Sequence, residues 1–245
     1  MAGNIFSVEG LVCLVTGASS GLGAHFAEIL TAGGARVAGA SRTRPAQAAA
    51  IMHIDCDIRR TETVVAAFDT VEKEFGPVDV LVNAAGVARF GKAEELDEEA
   101  LSELLDVNVA GTMRVTQEAV RRMRGHKRGG SIIHITSVLA NRTAAGLSAY
   151  GGSKAALEQM MRVQAAEWAR HGIRVNALAP GWFPTEMTRA HFDKGADQIL
   201  KGRIPMRRLG EPSDLDGALL LLASDASRYM TASVIAVDGG YSAGF

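Results

Sequence analysis

Tyr150 and Lys154 stand four residues apart at the start of a helical pattern that runs on through AALEQMMRVQAAEWA, so both project from one face of that helix. A tyrosine ordinarily titrates near pH ~10, too high for proton exchange at neutrality. A neighbouring ammonium stabilises the phenolate and is expected to lower that value, which makes Tyr150 a general acid for a developing alkoxide or a base for an alcohol. Ser137 follows the apolar run SIIHIT (131–136) and can hold a substrate oxygen by a hydrogen bond. A Tyr-x3-Lys pair alone is a weak signal, because such pairs arise by chance on helix surfaces.

A second group of residues gives the pair its context. Thr16-Gly17-Ala18-Ser19-Ser20-Gly21-Leu22-Gly23 lies between the first apolar run and a helical pattern. A pyrophosphate needs backbone that comes close and N–H groups that point at it, which glycines before a helix N-terminus supply; Gly17, Ser19, Ser20, Gly21, Leu22 and Gly23 are the candidate contacts. The spacing Gly-x3-Gly-x-Gly departs from the G-x-G-x-x-G pattern, and three glycines in a turn could be purely structural. The same residues read Gly17-x-Ser19-x-Gly21, and Gly240-Tyr241-Ser242-Ala243-Gly244 repeats that spacing. A serine hydrolase elbow needs preceding strands for its oxyanion loop and a later acid and histidine, and neither copy has both.

A dinucleotide fold reads the adenosine ribose at the end of its second strand, about 20 residues past the glycine turn, with an acid that binds a free 2′-OH. Ser41-Arg42-Thr43-Arg44 occupies that place here. A guanidinium pairs with a phosphate, and no carboxylate stands there to repel one, so Ser41 and Arg42 favour NADP(H) over NAD(H). The bland alternative is that both arginines solvate a strand end. Arg44 is the weaker candidate, since Pro45 biases it towards an extended shape.

These groups need a scaffold that brings them to one edge. Apolar runs LVCLVT (11–16), ARVAGA (35–40), IMHIDC (51–56), VDVLVN (78–83), SIIHIT (131–136), IRVNAL (173–178) and SVIAVD (233–238) alternate with helical patterns. This predicts an α/β fold, a Rossmann-like doubly wound parallel sheet of about seven strands with helices on both faces. Strands covered on both faces read as continuous apolar runs. Thr61 is the expected N-cap of the helix through TVVAAF, and Gly33-Gly34 the stop of the helix that begins near Gly21. Residues 41–50, with a proline, are too short for a full crossover helix and predict a stub. The long gap from Pro180 to Pro212, which mixes Phe183, Met187, Phe192 and Met206 with polar residues, predicts a substrate lid over about 182–211 of one domain spanning 1–245.

Composition narrows the function classes. Lys and Arg number 26 against 27 Asp and Glu, a net charge of −1 that points to neither nucleic acid nor an anionic membrane. No stretch approaches the ~20 apolar residues of a membrane span, and the N-terminus has no signal-like run, so a cytoplasmic protein is expected. Cys13 and Cys56 lie in apolar runs and are expected as buried free thiols; no two histidines have metal-pair spacing on a helix, so no metal is expected.

Taken in order along the chain, these residues resemble the short-chain dehydrogenase/reductases. The resemblance spans essentially the whole chain: TGASSGLG (16–23), Asn83-Ala84-Ala85-Gly86, Asn108 in DVNVAG, Ser137, Tyr150 with Lys154, Pro180-Gly181 with Thr185, and VDGG (237–240). It implies reversible NAD(P)-dependent hydride transfer between a carbonyl and a secondary alcohol. It further implies a catalytic tetrad of Asn108, Ser137, Tyr150 and Lys154, in which Asn108 holds a water that relays protons to Lys154 and Lys154 also binds the nicotinamide ribose. By the same resemblance Asp57 and Ile58 border adenine, Asn83, Ala84, Ala85 and Gly86 form the wall beside it, and Pro180, Gly181, Phe183 and Thr185 hold the carboxamide end. Ala84 departs from the second asparagine often found in that turn, and the stub leaves the adenosine end more open than in many relatives.

The substrate is a small carbonyl or alcohol, with Arg89, Phe90, Leu139, Asn141, Leu147, Trp182 and Met187 expected near it, although aromatic and Met residues are more often core. Alternatives are a 3-oxoacyl-[acyl-carrier-protein] reductase, an NAD-dependent alcohol or sugar-alcohol dehydrogenase, and a dinucleotide-binding regulator without activity. The basic run Arg121–Arg128 would suit an acidic carrier, but cations closing a helix that starts near Glu98 more simply favour its macrodipole. The family resemblance also implies a homo-oligomer, a tetramer or a dimer, built on helices 98–124 and 148–170.

Overall fold

The computed structural model describes residues 4–44, 51–191 and 197–243. Seven strands form one parallel sheet: β1 (Val12–Thr16), β2 (Arg36–Ser41), β3 (Met52–Asp55), β4 (Val80–Asn83), β5 (Gly130–Ile135), β6 (Ile173–Pro180) and β7 (Val234–Val237). Their order is β3-β2-β1-β4-β5-β6-β7, every neighbouring pair parallel. The chain winds outward from β1 to β3, then restarts beside β1 with β4 and winds the other way. That reversal opens a crevice at the carboxyl ends of β1 and β4.

Alternate residues of each strand feed two cores, which is why the runs are apolar throughout. Val12 and Leu14 join Phe68 of α2 (Thr61–Phe75), Val115 and Ala119 of α4 (Thr112–His126) and Met161 of α5 (Ser148–Trp168). Cys13 and Val15 face the opposite side, against Phe26 and Leu30 of α1 (Gly21–Ala32) and Leu219 and Leu222 of α8 (Asp216–Ala223). Both cysteines are buried and free. Phe68 is 1% exposed, so truncating it to alanine would cost about 3–5 kcal/mol through lost burial and the cavity left behind.

Several local expectations shift. The N-cap of α2 is Arg60, and Thr61 is the first helical residue. Asp57 holds this entry instead: its carbonyl accepts from the Arg60 N–H and from Thr63 Oγ1. The helix expected from Glu98 is α3 (Glu98–Leu105), a wide π-type turn over Asp106–Gly111, and then α4. An extra residue in one helical turn re-aims the backbone there, and such turns concentrate at functional sites. The basic run does more than complement a helix dipole. Arg122 is drawn back against α2, where Asp69 and Glu72 accept from its guanidinium at 2.7 Å, and Glu118 of its own helix accepts at 2.6 Å.

Beyond β2, residues 42–44 are irregular, and the rest of the expected stub, 45–50, lies outside the described residues. After β6 come two short helices, α6 (Glu186–His191), whose first turn lines the crevice, and α7 (Asp197–Arg203). No helix among the described residues is long and apolar enough to cross a membrane.

Candidate active site

The glycine turn is shaped by close backbone approach. Gly17 has φ +70°, and a Cβ there would lie 2.7 Å from the Ala85 Cα. A Cβ on Gly23 would run into the Gly17 carbonyl oxygen. Ser20 is the N-cap of α1 yet makes no side-chain cap bond, so the first N–H groups of the helix remain available to the crevice. Tight glycines and an uncapped helix start fit a pyrophosphate.

A cavity of about 580 Å³ runs from this turn along the sheet edge. One end is lined by Ser41, Arg42, Asp57 and Ile58, the middle by Gly17, Ser19–Gly23 and Ala84–Gly86, and the far end by Ser137, Tyr150, Lys154, Pro180, Gly181, Phe183, Thr185 and Met187. An elongated channel with a cation at one end and a phenol at the other suits an extended dinucleotide with its reactive ring at the phenol.

At the far end, Lys154 is 5% exposed and donates from Nζ to the Ile135 carbonyl oxygen at 2.9 Å. Burial pushes its ammonium down to about 8. Burial likewise pushes the Tyr150 phenol up to about 12, with a hydrogen bond from Ser137 pulling the other way. The expectation that Lys154 lowers the Tyr150 value is thus not met. Nζ lies over the ring, 5.7 Å from its centroid, and burial outweighs any stabilisation of the phenolate. Gly86 keeps this corner open, since a Cβ there would lie 3.3 Å from Asn108 Oδ1 and 3.5 Å from Lys154 Nζ.

Asn108 sits in the π-type turn and does not line the cavity. Its Oδ1 accepts from the Val87 N–H at 2.8 Å, and its Nδ2 donates to the Val87 carbonyl at 2.9 Å and to Ser153 Oγ at 3.0 Å. Both amide hydrogens are occupied, so Asn108 can offer a water only an acceptor. Asn83 also turns from the crevice. Its Nδ2 bonds Thr116 Oγ1 and His134 Nδ1, and burial pushes that imidazole down to about 4, leaving it neutral. The inward turn follows from its strand-end register, which faces α4 rather than the edge.

The expected substrate residues separate. Met187 lines the cavity. Leu139, Leu147 and Trp182 do not line that cavity but pack with Leu200 and Ile204 in a third apolar cluster, against which Tyr150 also packs. Asn141 is exposed and donates to Glu158, and Arg89 pairs with Glu103 at 2.5 Å. Phe90 is exposed.

Other lining residues carried weaker sequence signals. Arg59 forks onto Asp57, with Nη2 donating at 2.6 Å, and chiefly through these bonds holds that carboxyl down at about 2. Its place two residues after Asp57 was the available signal. Thr188 accepts from the Thr185 N–H at 2.9 Å and donates to the Phe183 carbonyl at 2.7 Å, fixing the strap after β6. A Thr-x2-Thr spacing marks that turn.

The reversal in strand order, the glycine turn and the Ser–Tyr–Lys corner define a dinucleotide-fold oxidoreductase. A family model described as enoyl-(acyl carrier protein) reductase matches residues 17–242. The chain is 36% identical to the 2-dehydro-3-deoxy-D-gluconate 5-dehydrogenase of Escherichia coli (strain K12), over 96% of this chain and 97% of that one. It is 38% identical to the galactitol 2-dehydrogenase (L-tagatose-forming) of Cereibacter sphaeroides, over 97% of each. A gluconate 5-dehydrogenase from Burkholderia cenocepacia J2315, solved in complex with NADP and tartrate, matches with a TM-score of 0.94 at 33% identity and 99% coverage of both chains. The chain belongs to the short-chain dehydrogenase/reductase family.

Proposed function

We propose that residues 1–245 act as one NADP(H)-preferring dehydrogenase that interconverts a ketone and a secondary alcohol, with a polyol or sugar acid as the substrate class. The observation that carries it is the convergence of Ser137, Tyr150 and Lys154 at the cavity end opposite Arg42. The named relatives act on sugar acids and a polyol, and one was solved with NADP, which supports the substrate class and the cofactor.

When bound, the nicotinamide supplies or accepts the hydride. Ser137 holds the substrate oxygen, and Tyr150 gives that oxygen a proton in reduction or takes one in oxidation. A phenol held near 12 is protonated at neutral pH and so is ready to act as an acid. Lys154 is the charge that can stabilise the phenolate and the group that would meet the nicotinamide ribose. Arg42 would pair with the 2′-phosphate at the other end, while Arg59 masks the nearby Asp57 carboxylate that would repel it. The segment 182–211 would serve as a lid, contributing Phe183, Thr185 and Met187 to the wall.

A homo-oligomer fits exposed apolar side chains on the expected helices, Leu105 at 40% and Val163 at 49%. The deciding experiment follows NADPH oxidation across keto-sugar acids, ketoses and simple ketones. Turnover on polyhydroxylated ketones is the expected result; turnover confined to acyl-carrier or simple ketones would overturn the substrate class.

A further inference from the structure

Glu158 is 1% exposed and lies on α5 one turn beyond Lys154 and two beyond Tyr150. A buried carboxylate is costly unless hydrogen-bonded, and this one is bonded at both oxygens. Thr136 Oγ1 donates to Oε1 at 3.1 Å, and Asn141 Nδ2 donates to Oε2 at 2.9 Å. Arg162, one turn on, approaches Oε2 at 3.4 Å from a largely exposed position. The two donors flank Ser137 and the short turn Val138–Ala140 that follows it. One carboxylate therefore ties both sides of the Ser137 turn to the helix that carries Tyr150 and Lys154.

The lacing continues next door. Ile135 O accepts from Lys154 Nζ, so successive residues at the end of β5 are held by successive turns of α5. Within the turn, the Leu139 N–H donates to Ser137 Oγ at 3.2 Å and fixes the direction of the hydroxyl. The helix and the turn are in close contact, since a Cβ on Gly151 would lie 2.9 Å from the Leu139 carbonyl oxygen. Stability alone does not account for a carboxylate here, because well-packed apolar replacements of buried ionic groups are often neutral or stabilising.

We propose that Glu158 is a positioning residue: by holding Thr136 and Asn141 it sets where the Ser137 hydroxyl stands relative to the Tyr150 phenol. The inference rests on the roles proposed above for Ser137 and Tyr150. Angular or ångström-scale drift of a substrate-holding group is enough to slow chemistry substantially.

The test compares Glu158→Met, which fills the space without accepting, with Glu158→Gln, which can accept from Asn141 and donate to the Thr136 hydroxyl. In Glu158→Met, kcat should fall roughly tenfold to a hundredfold while the NADPH dissociation constant, read by cofactor fluorescence, stays unchanged. The Tyr150 limb of the pH profile should move to higher pH, because the Ser137 bond that holds the phenol down is loosened. Glu158→Gln should remain close to the parent. Should Glu158→Met fail to fold, Asn141→Ala at its exposed position should give a smaller shift in the same direction. Unchanged kcat and pH limb in Glu158→Met, with only the melting temperature lowered, would overturn the proposal, as would a Gln variant as impaired as the Met variant. Full turnover in Tyr150→Phe would instead remove the catalytic reading itself, so the two failures are distinguishable.

Discussion

Lys154 lies over the face of the Tyr150 ring, its Nζ 5.7 Å from the centroid, and donates to the Ile135 carbonyl oxygen at 2.9 Å. Four-residue spacing puts the two side chains on one face of α5, but the ammonium is anchored to the end of β5. The pair is therefore an acid held protonated beside a cation weakened by burial.

Tyr150→Phe removes the only phenol among the cavity-lining residues and with it the transferable proton. Turnover should fall by about 10²–10⁴-fold with NADPH binding retained, measured by steady-state kinetics and cofactor fluorescence. Near-parental turnover would contradict the acid/base role of Tyr150.

Arg42 lines the cavity and Arg44 does not, which separates two arginines that share a strand end. Arg42→Ala should weaken NADPH by about tenfold, the equivalent of one charge-assisted hydrogen bond, and leave NADH nearly unaffected. Because Arg42 is exposed, the dissociation constants must be compared at one ionic strength. Equal losses for both cofactors would mean that Arg42 does not read the phosphate.

Burial lowers Lys154 from an ordinary value of 10.5 to about 8, so the unfolded chain binds more protons than the folded one between those values. The cost of burying the ammonium is therefore full below pH ~8 and is relieved as pH rises towards ~10.5. Relative to Lys154→Met, the parent should gain on the order of 3 kcal/mol across that window, read from urea midpoints at stepped pH. A difference that stays flat with pH would show that Lys154 keeps its ordinary value.

Leu105 and Val163 leave apolar surface on α3 and α5 that a second copy would cover. Light scattering at micromolar concentration should report a tetramer or a dimer, and Leu105→Glu with Val163→Glu should shift it towards monomer. A parent that scatters as a monomer would rule out the assembly.

The strand runs, the glycine turn, and the Ser137, Tyr150 and Lys154 set were legible in the sequence because each depends on short-range pattern: period, spacing and the conformational freedom of glycine. Alternation of helix and strand was enough to predict a doubly wound parallel sheet, and the reversal between β1 and β4 then places the crevice. Only the tertiary structure decided where the polar side chains point. Asn83 and Asn108 turn inward to bond Thr116, His134, Val87 and Ser153, partners 21 to 51 residues away that no local pattern specifies. The same holds for Leu139, Leu147 and Trp182, which pack under α7, and for Glu158, whose donors Asn141 and Thr136 lie 17 and 22 residues back along the chain. Local sequence sets which elements form, whereas a buried side chain's hydrogen bonds depend on groups that only the packed fold brings within reach.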